Sequence, residues 1–186
     1  MVKLRAKCIL SGDATVGKSA LCQLFRSDGT HFQKNYTMTT GVDVVVKSVN
    51  LPESNDSVEF FIFDSAGKDI FLDSVEKLWG QPSVLCLVFD VTSEQSFKSC
   101  AKWLERARVH TQRLQMPGVL VGNKTDLSVR RTVDTESARE WALSQGLEYF
   151  ETSVKETENH EAPFRNLALA FHNIYREKLE VIQALA

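Results

Sequence analysis

The sequence predicts an α/β fold: a six-stranded, mostly parallel sheet with one antiparallel edge strand and helices on both faces. Three observations carry this. Apolar, β-branched runs alternate with segments of helical spacing along the whole chain, the pattern of parallel strands joined by crossover helices. Two strand-like runs, Val42 to Val49 and Val58 to Phe63, are separated by the turn Pro52 to Asp56, which is short enough for a hairpin. The stretch Gly12-Asp13-Ala14-Thr15-Val16-Gly17-Lys18-Ser19 fits the phosphate-binding pattern G-x-x-x-x-G-K-[ST] in full.

The elements follow in order. Cys8-Ile9-Leu10 reads as a buried strand that enters the Gly-rich loop, and Ala20 to Phe25 as the helix that leaves it. Ser27 to Thr40 is polar and reads as a loop. The hairpin comes next, then the polar break Asp64 to Lys68 and a helical segment to about Trp79. Val84 to Phe89 is continuously apolar, as a strand buried on both faces should be. Ser93 to about Leu114 has helical spacing, with Phe97, Ala101, Leu104 and Ala107 or Arg108 on one stripe. Pro117-Gly118 ends that region, and Val119-Leu120-Val121 is another buried strand. Thr135 to Ser144 reads as a helix stopped by Gly146, and Leu147 to Phe150 as a short strand. The last helix runs from Glu161 to about Ile182, with Phe164, Leu167, Ala168, Phe171 and Tyr175 at helical spacing. No repeat or linker divides the chain, so one domain over 1–186 is expected.

Composition narrows the function. With 186 residues, 43% hydrophobic and 25% charged, the chain can bury a sizeable core. A net charge of −2 gives no electrostatic footprint for nucleic acid. The cysteines Cys8, Cys22, Cys86 and Cys100 lack metal-ligand spacing and read as free thiols, mostly buried, of a reducing, cytoplasmic compartment. No secretory signal or membrane-length apolar run is present. Val at position 2 excludes myristoylation, and the last residues offer no cysteine to prenylate, so no direct lipid anchor is expected.

In a parallel sheet the loops after strand C-termini share one edge, so the polar breaks should gather around the Gly-rich loop. There Gly12 and Gly17 would allow close backbone approach. The amides of Asp13, Ala14, Thr15, Val16 and Ala20 would face an anion. Lys18 would reach the β/γ-phosphates, and the Ser19 hydroxyl would ligate Mg²⁺. Asp64-Ser65-Ala66-Gly67 is a D-x-x-G: its carboxylate can hold Mg²⁺ through a water, and the Gly67 amide can meet a γ-phosphate. Asn123-Lys124-Thr125-Asp126 is an N-K-x-D. Ionised Asp126 only accepts hydrogen bonds, so it can take both the ring N–H and the exocyclic amine of guanine, a pair that adenine lacks. Asn123 can bond the base or tie its loop to the phosphate loop, while the Lys124 stem covers the ring. In Thr152-Ser153-Val154-Lys155 the backbone near Val154 can donate to the guanine carbonyl, with Lys155 over the ring.

This ordered set resembles the Ras superfamily of small GTPases over nearly the whole chain. Thr39-Thr40-Gly41-Val42-Asp43 and Leu87-Val88-Phe89-Asp90-Val91-Thr92 are most similar to its Rab branch. Asp64-Ser65-Ala66-Gly67-Lys68, Leu78-Trp79, Lys102-Trp103-Leu104-Glu105 and Tyr175-Arg176-Glu177-Lys178-Leu179-Glu180 resemble the Rab-like GTPases of intraflagellar transport complex B. The resemblance implies a small G domain that uses GTP/GDP and Mg²⁺. It implies that Thr39 closes on Mg²⁺ and γ-phosphate, that Phe32 lies edge-on to the base and that Tyr36 covers the phosphates. It further implies a heterodimer with a small β-sandwich subunit of the same complex, contact with other complex B subunits and ciliary cargo adaptors, and a place in the cilium and at its base.

Three departures from the family pattern matter. Lys68 stands where the family usually has the Gln that orients the attacking water; an ammonium donates but cannot accept a hydrogen bond. That predicts slow hydrolysis. Ala14-Thr15 adds Cβ atoms where at least one Gly is common. Finally, in place of a lipid, Leu179, Val181, Ile182 and Leu185 offer apolar side chains suited to docking on another protein.

Overall fold

The computed structural model describes residues 1–31, 35–111 and 116–185. Strands β1 (Lys3–Ser11), β2 (Val42–Leu51), β3 (Asp56–Ser65), β4 (Val84–Asp90), β5 (Gly118–Asn123) and β6 (Glu148–Thr152) alternate with helices α1 (Lys18–Arg26), α2 (Leu72–Trp79), α3 (Glu94–Val109), α4 (Thr135–Ser144) and α5 (Ala162–Ala184). They form one sheet in the order β2-β3-β1-β4-β5-β6. Every pairing is parallel except the β2–β3 hairpin. The expected six-stranded α/β architecture with one antiparallel edge strand is therefore present.

The period-2 alternation of strand side chains builds two cores. Cys8, Leu10, Cys86 and Val88 face one side, packed with Leu21, Phe25, Phe164 and Leu167 of α1 and α5. Ile9, Leu85, Leu87 and Phe89 face the other, packed with Val75, Trp79, Trp103 and Ala138 of α2, α3 and α4. All four cysteines are buried and unbridged. Local chemistry fixes the helix starts. Ser93 accepts the Ser96 N–H at 3.2 Å to cap α3, Asp134 accepts the Ser137 N–H at 2.9 Å to cap α4, and Pro163 sits in the first turn of α5.

Boundaries moved where polar residues belong to elements. β1 starts at Lys3 because Lys3, Arg5 and Lys7 alternate with Leu4, Ala6 and Cys8; Lys3 and Arg5 pair with Glu59 at 2.6 and 3.3 Å. Asp64 and Ser65 are the end of β3, not a break, and pair across to Asp43 and Val42. The α3 stripe is a correction: the buried face is Ser96, Cys100, Trp103, Leu104 and Ala107, while Ala101 and Arg108 are exposed. Trp103 claims the core because its indole N–H finds a partner there. In α5 the buried set includes His172, whose Nε2 lies 3.0 Å from Asp56 Oδ2. No helix among the described residues is long and apolar enough to cross a membrane.

The register aligns the strand ends. Leu10 faces Asp64, Ser11 faces Leu87, Asp90 faces Asn123 and Asn123 faces Thr152. The loops leaving β1, β3, β5 and β6 thus emerge along one edge.

Candidate functional site

At that edge β1 turns into α1 through the Gly-rich loop. Gly12 takes φ +143°, and a Cβ there would lie 2.1 Å from the Val88 carbonyl oxygen. Gly17 takes φ +102° at the mouth of α1, where a Cβ would lie 2.3 Å from Asn123 Nδ2. Only glycine meets both demands. The loop holds Lys18 in a buried position, with Nζ donating to the Gly12 and Asp13 carbonyls at 2.9 and 2.8 Å. Burial lowers its pKa to about 8, against the opposing pull of Asp64 and Asp13. Burial among carbonyl partners leaves that ammonium short of countercharge, the condition that an anion held by the loop amides and the α1 N-terminus would relieve.

Beside it, three oxygen donors converge. Ser19 Oγ and Thr39 Oγ1 are 3.0 Å apart. Asp64 is buried, and its Oδ1 has no hydrogen-bond partner among the described residues. Burial raises its pKa to about 6, opposed by the Ser19 hydroxyl and the Lys18 charge. No group of three His, Cys, Asp or Glu side chains is placed to hold a metal among the described residues. A cation here would rest on two hydroxyls, one carboxylate, and water or ligand phosphate, which suits Mg²⁺ and its reluctance to lose water. The orphaned carboxylate oxygen and the paired hydroxyls fit that ion.

Gly67 closes the same end. Its carbonyl accepts the Ala14 N–H at 3.1 Å, and a Cβ on it would lie 2.4 Å from Ala14 N and from the Asp13 carbonyl carbon. Lys68 is exposed on the rim of the cavity, as is Tyr36. Thr15 (φ +67°) and Ala14 line the wall beneath them. Phe32 lies outside the described residues.

The other end of the cavity is built by the loops after β5 and β6. Asn123 Nδ2 donates to the Val16 carbonyl at 2.9 Å, and its Oδ1 accepts the Thr152 hydroxyl at 3.0 Å. Of the two roles open to Asn123, the structure gives it the tie to the phosphate loop. Asp126 accepts the Ser153 hydroxyl at 2.7 Å on Oδ1 and lines the cavity. Lys124, at φ +69°, pairs with Asp90 at 2.7 Å, which lays its stem along the wall. Val154 and Lys155 complete that wall, and Ala20 lies at the foot of α1. The cavity measures about 370 Å³. Gly12, Asp13, Val16, Asp64 and Ser153 stand behind the lining and support it.

The motifs alone do not show two supports. Arg131 forms a double contact with Glu151 at 2.8 and 2.9 Å, and Thr135 and Tyr149 also donate to Glu151. Burial would raise the Glu151 pKa, but those donors outweigh it and hold the carboxyl below its usual range. The pair joins the segment after Asp126 to the strand before Ser153. The Trp103 indole donates to Asp13 Oδ1 at 2.8 Å, linking α3 to the phosphate loop. A signal for the first was available, an Arg and a Glu flanking two site motifs. Nothing local announces the second, because the partners are ninety positions apart.

The Ras family model matches residues 7–173. The chain belongs to the Ras family. Membership brings guanine-nucleotide binding and GTPase activity as a class. Among relatives of this Ras-family chain, the intraflagellar transport protein 27 homolog of Bos taurus is 69% identical, with 100% of both chains covered. The intraflagellar transport protein 27 of Chlamydomonas reinhardtii is 40% identical over 97% of this chain and 90% of its own. The Ras-related protein Rab-30 of Homo sapiens is more distant, at 35% over 87% of this chain and 77% of its own. The Rab-like character expected of the chain agrees with these relatives.

Proposed function

We propose that this Rab-like small GTPase is a Mg²⁺-dependent GTP switch with slow intrinsic hydrolysis. We further propose that it is a subunit of intraflagellar transport complex B acting in ciliary cargo transport. The observation that carries the switch is the convergence of Ser19, Thr39 and Asp64 next to a buried Lys18. The assignment to transport rests on the relatives' names and on the sequence resemblance.

Each residue then has a task. Asp126 accepts the N–H pair of guanine, and Ser153 holds its other side in place. The loop amides and Lys18 bind the phosphates and take up charge that develops as water attacks the terminal one. Bound Mg²⁺ would neutralise phosphate charge. A γ-phosphate would hold the segments of Thr39 and Gly67, and its loss would release them. Lys68 can offer charge from the rim but cannot accept a proton from water, so nothing at its position orients the nucleophile as the usual Gln would. Single-turnover hydrolysis should be at or below the ~10⁻⁴ s⁻¹ of unassisted family members. Lys68→Gln should speed it about tenfold or more; an unchanged rate would remove Lys68 from the account.

The exposed residues Val181 and Ile182 of α5 and Leu185, its C-cap, lie on one stripe, with Leu179 beside it. That stripe is the surface we assign to a small β-sandwich subunit of complex B. Truncation after Lys178 should abolish co-purification; full retention would place the contact elsewhere. Lys68 in place of the usual Gln also favours a second reading, a nucleotide-stabilised scaffold whose hydrolysis is incidental. Equal partner affinity with GDP and with a GTP analogue would select it.

A further inference from the structure

Asp13 occupies a position that the phosphate-loop pattern leaves open, so phosphate binding does not require a carboxylate there. An acid beside an anion cradle is adverse unless something holds it. Here the holder is Trp103, a fully buried side chain of α3, whose indole N–H donates to Asp13 Oδ1 at 2.8 Å. The carboxylate is thereby turned toward α3 and away from the cradle. The main chain of the same residue is engaged as well. Its carbonyl accepts Lys18 Nζ at 2.8 Å, and it is packed so closely against Gly67 that a Cβ there would lie 2.4 Å from its carbonyl carbon. Asp13 is thus fixed through its side chain by α3 and through its carbonyl by the lysine that faces the phosphates.

We propose that Trp103 is a positioning residue for the phosphate loop: its hydrogen bond to the Asp13 side chain sets the loop that holds the β-phosphate. The inference rests on the reading of this cavity as a guanine-nucleotide site. Its consequence is selective. The base is held at the far end, by Asp126 and the Asn123 and Ser153 loops, whose contacts do not include Trp103. Loosening the loop should therefore weaken ligands in proportion to what they place in it. GDP has a β-phosphate there and GMP does not. A merely structural Trp would weaken both alike.

The test is a titration of GDP and GMP, with Mg²⁺, against the full chain, Trp103→Phe, Asp13→Leu and the double variant. The Phe substitution keeps most of the ring packing and removes the donor. Both single variants should bind GDP about tenfold more weakly and GMP within about twofold of the unaltered chain. The double variant should be no weaker than the worse single one, because both changes remove the same bond. An unchanged ratio of GDP to GMP affinity, or additive losses, would overturn the proposal. Should W103F fail to fold, D13L carries the comparison by itself, since Asp13 is only half-buried. Failure of the unaltered chain to bind GDP would instead overturn the functional reading, and the proposal with it.

Discussion

Gly67→Ala is the sharpest perturbation that the geometry offers. The change adds one methyl group, and the space for it is absent. Its Cβ would stand 2.4 Å from Ala14 N, 2.4 Å from the Asp13 carbonyl carbon and 2.6 Å from the Asp13 oxygen, whereas ordinary contact begins near 3.4 Å. The obstacle is backbone, so no side-chain rotation relieves it. Either the segment after β3 or the phosphate loop must move by about 1 Å, and the 3.1 Å bond from Ala14 N–H to the Gly67 carbonyl is strained or lost. A displacement of that size at a reacting centre is worth about 10²-fold in rate. On the proposed reading, a Gly67 amide displaced from a γ-phosphate would give up one charge-assisted hydrogen bond, worth about 1.5–3 kcal/mol. The assay pairs single-turnover hydrolysis with the affinities for GDP and a non-hydrolysable GTP analogue. The variant should bind GDP within a few-fold of the unaltered chain, lose at least about tenfold in affinity for the GTP analogue, and hydrolyse about 10²-fold more slowly. A variant that keeps both its rate and its analogue-to-GDP ratio would refute the placement of Gly67 against the phosphates.

Other consequences follow from single contacts. Asp126→Asn replaces an acceptor-only group with one that also donates; it should lower affinity for GTP by at least about tenfold and raise it for xanthosine triphosphate, read by competition. Asp56 accepts the Val2 N–H at 2.7 Å and faces His172 at 3.0 Å, and those two bonds, in that order, hold its carboxyl below the usual range. A lowered carboxylate stabilises the fold above its unfolded value near 4 and loses that contribution as pH falls through its folded one. The melting-temperature gap between the unaltered chain and Asp56→Asn should thus be widest near neutral pH and close below about pH 4; a gap independent of pH would contradict the assignment.

What was legible in the sequence depended on how local the physics was. The strands β4 and β5 announce themselves as continuous apolar runs because both their faces are buried. α4 was legible to the residue, from Thr135 to Ser144, because its cap and its stop are adjacent in sequence. β1 was read short because three of its residues are charged: Lys3 and Arg5 are exposed beside Glu59 of β3, and half-buried Lys7 donates to the Trp79 carbonyl at 3.0 Å, partners that only the fold supplies. The α3 stripe was misplaced for a related reason. The helix turns Cys100 and Trp103 inward with Leu104 and Ala107, and the buried indole N–H is satisfied by the Asp13 carboxylate, far away in the chain. His172 was passed over in α5 because a histidine on a buried face needs a partner, and Asp56 lies 116 positions away. In the site, the described residues at fixed motif spacing gather along one sheet edge, because the loops after parallel strands emerge there. Of the groups that hold those motifs in place, the Arg131–Glu151 pair flanks two of them in sequence, whereas the Trp103 contact with Asp13 is a tertiary one that no spacing encodes.

The central claim is a Mg²⁺-assisted guanine-nucleotide site, and competition for fluorescent GDP tests it most directly. With Mg²⁺ present, GDP and GTP should displace the probe at stoichiometric concentrations and ATP should not, even in large excess. Adding EDTA should speed release of the probe many-fold. Displacement by ATP on a par with GTP would remove Asp126 as the base-reading residue. Release indifferent to EDTA would remove Ser19, Thr39 and Asp64 as the cation site.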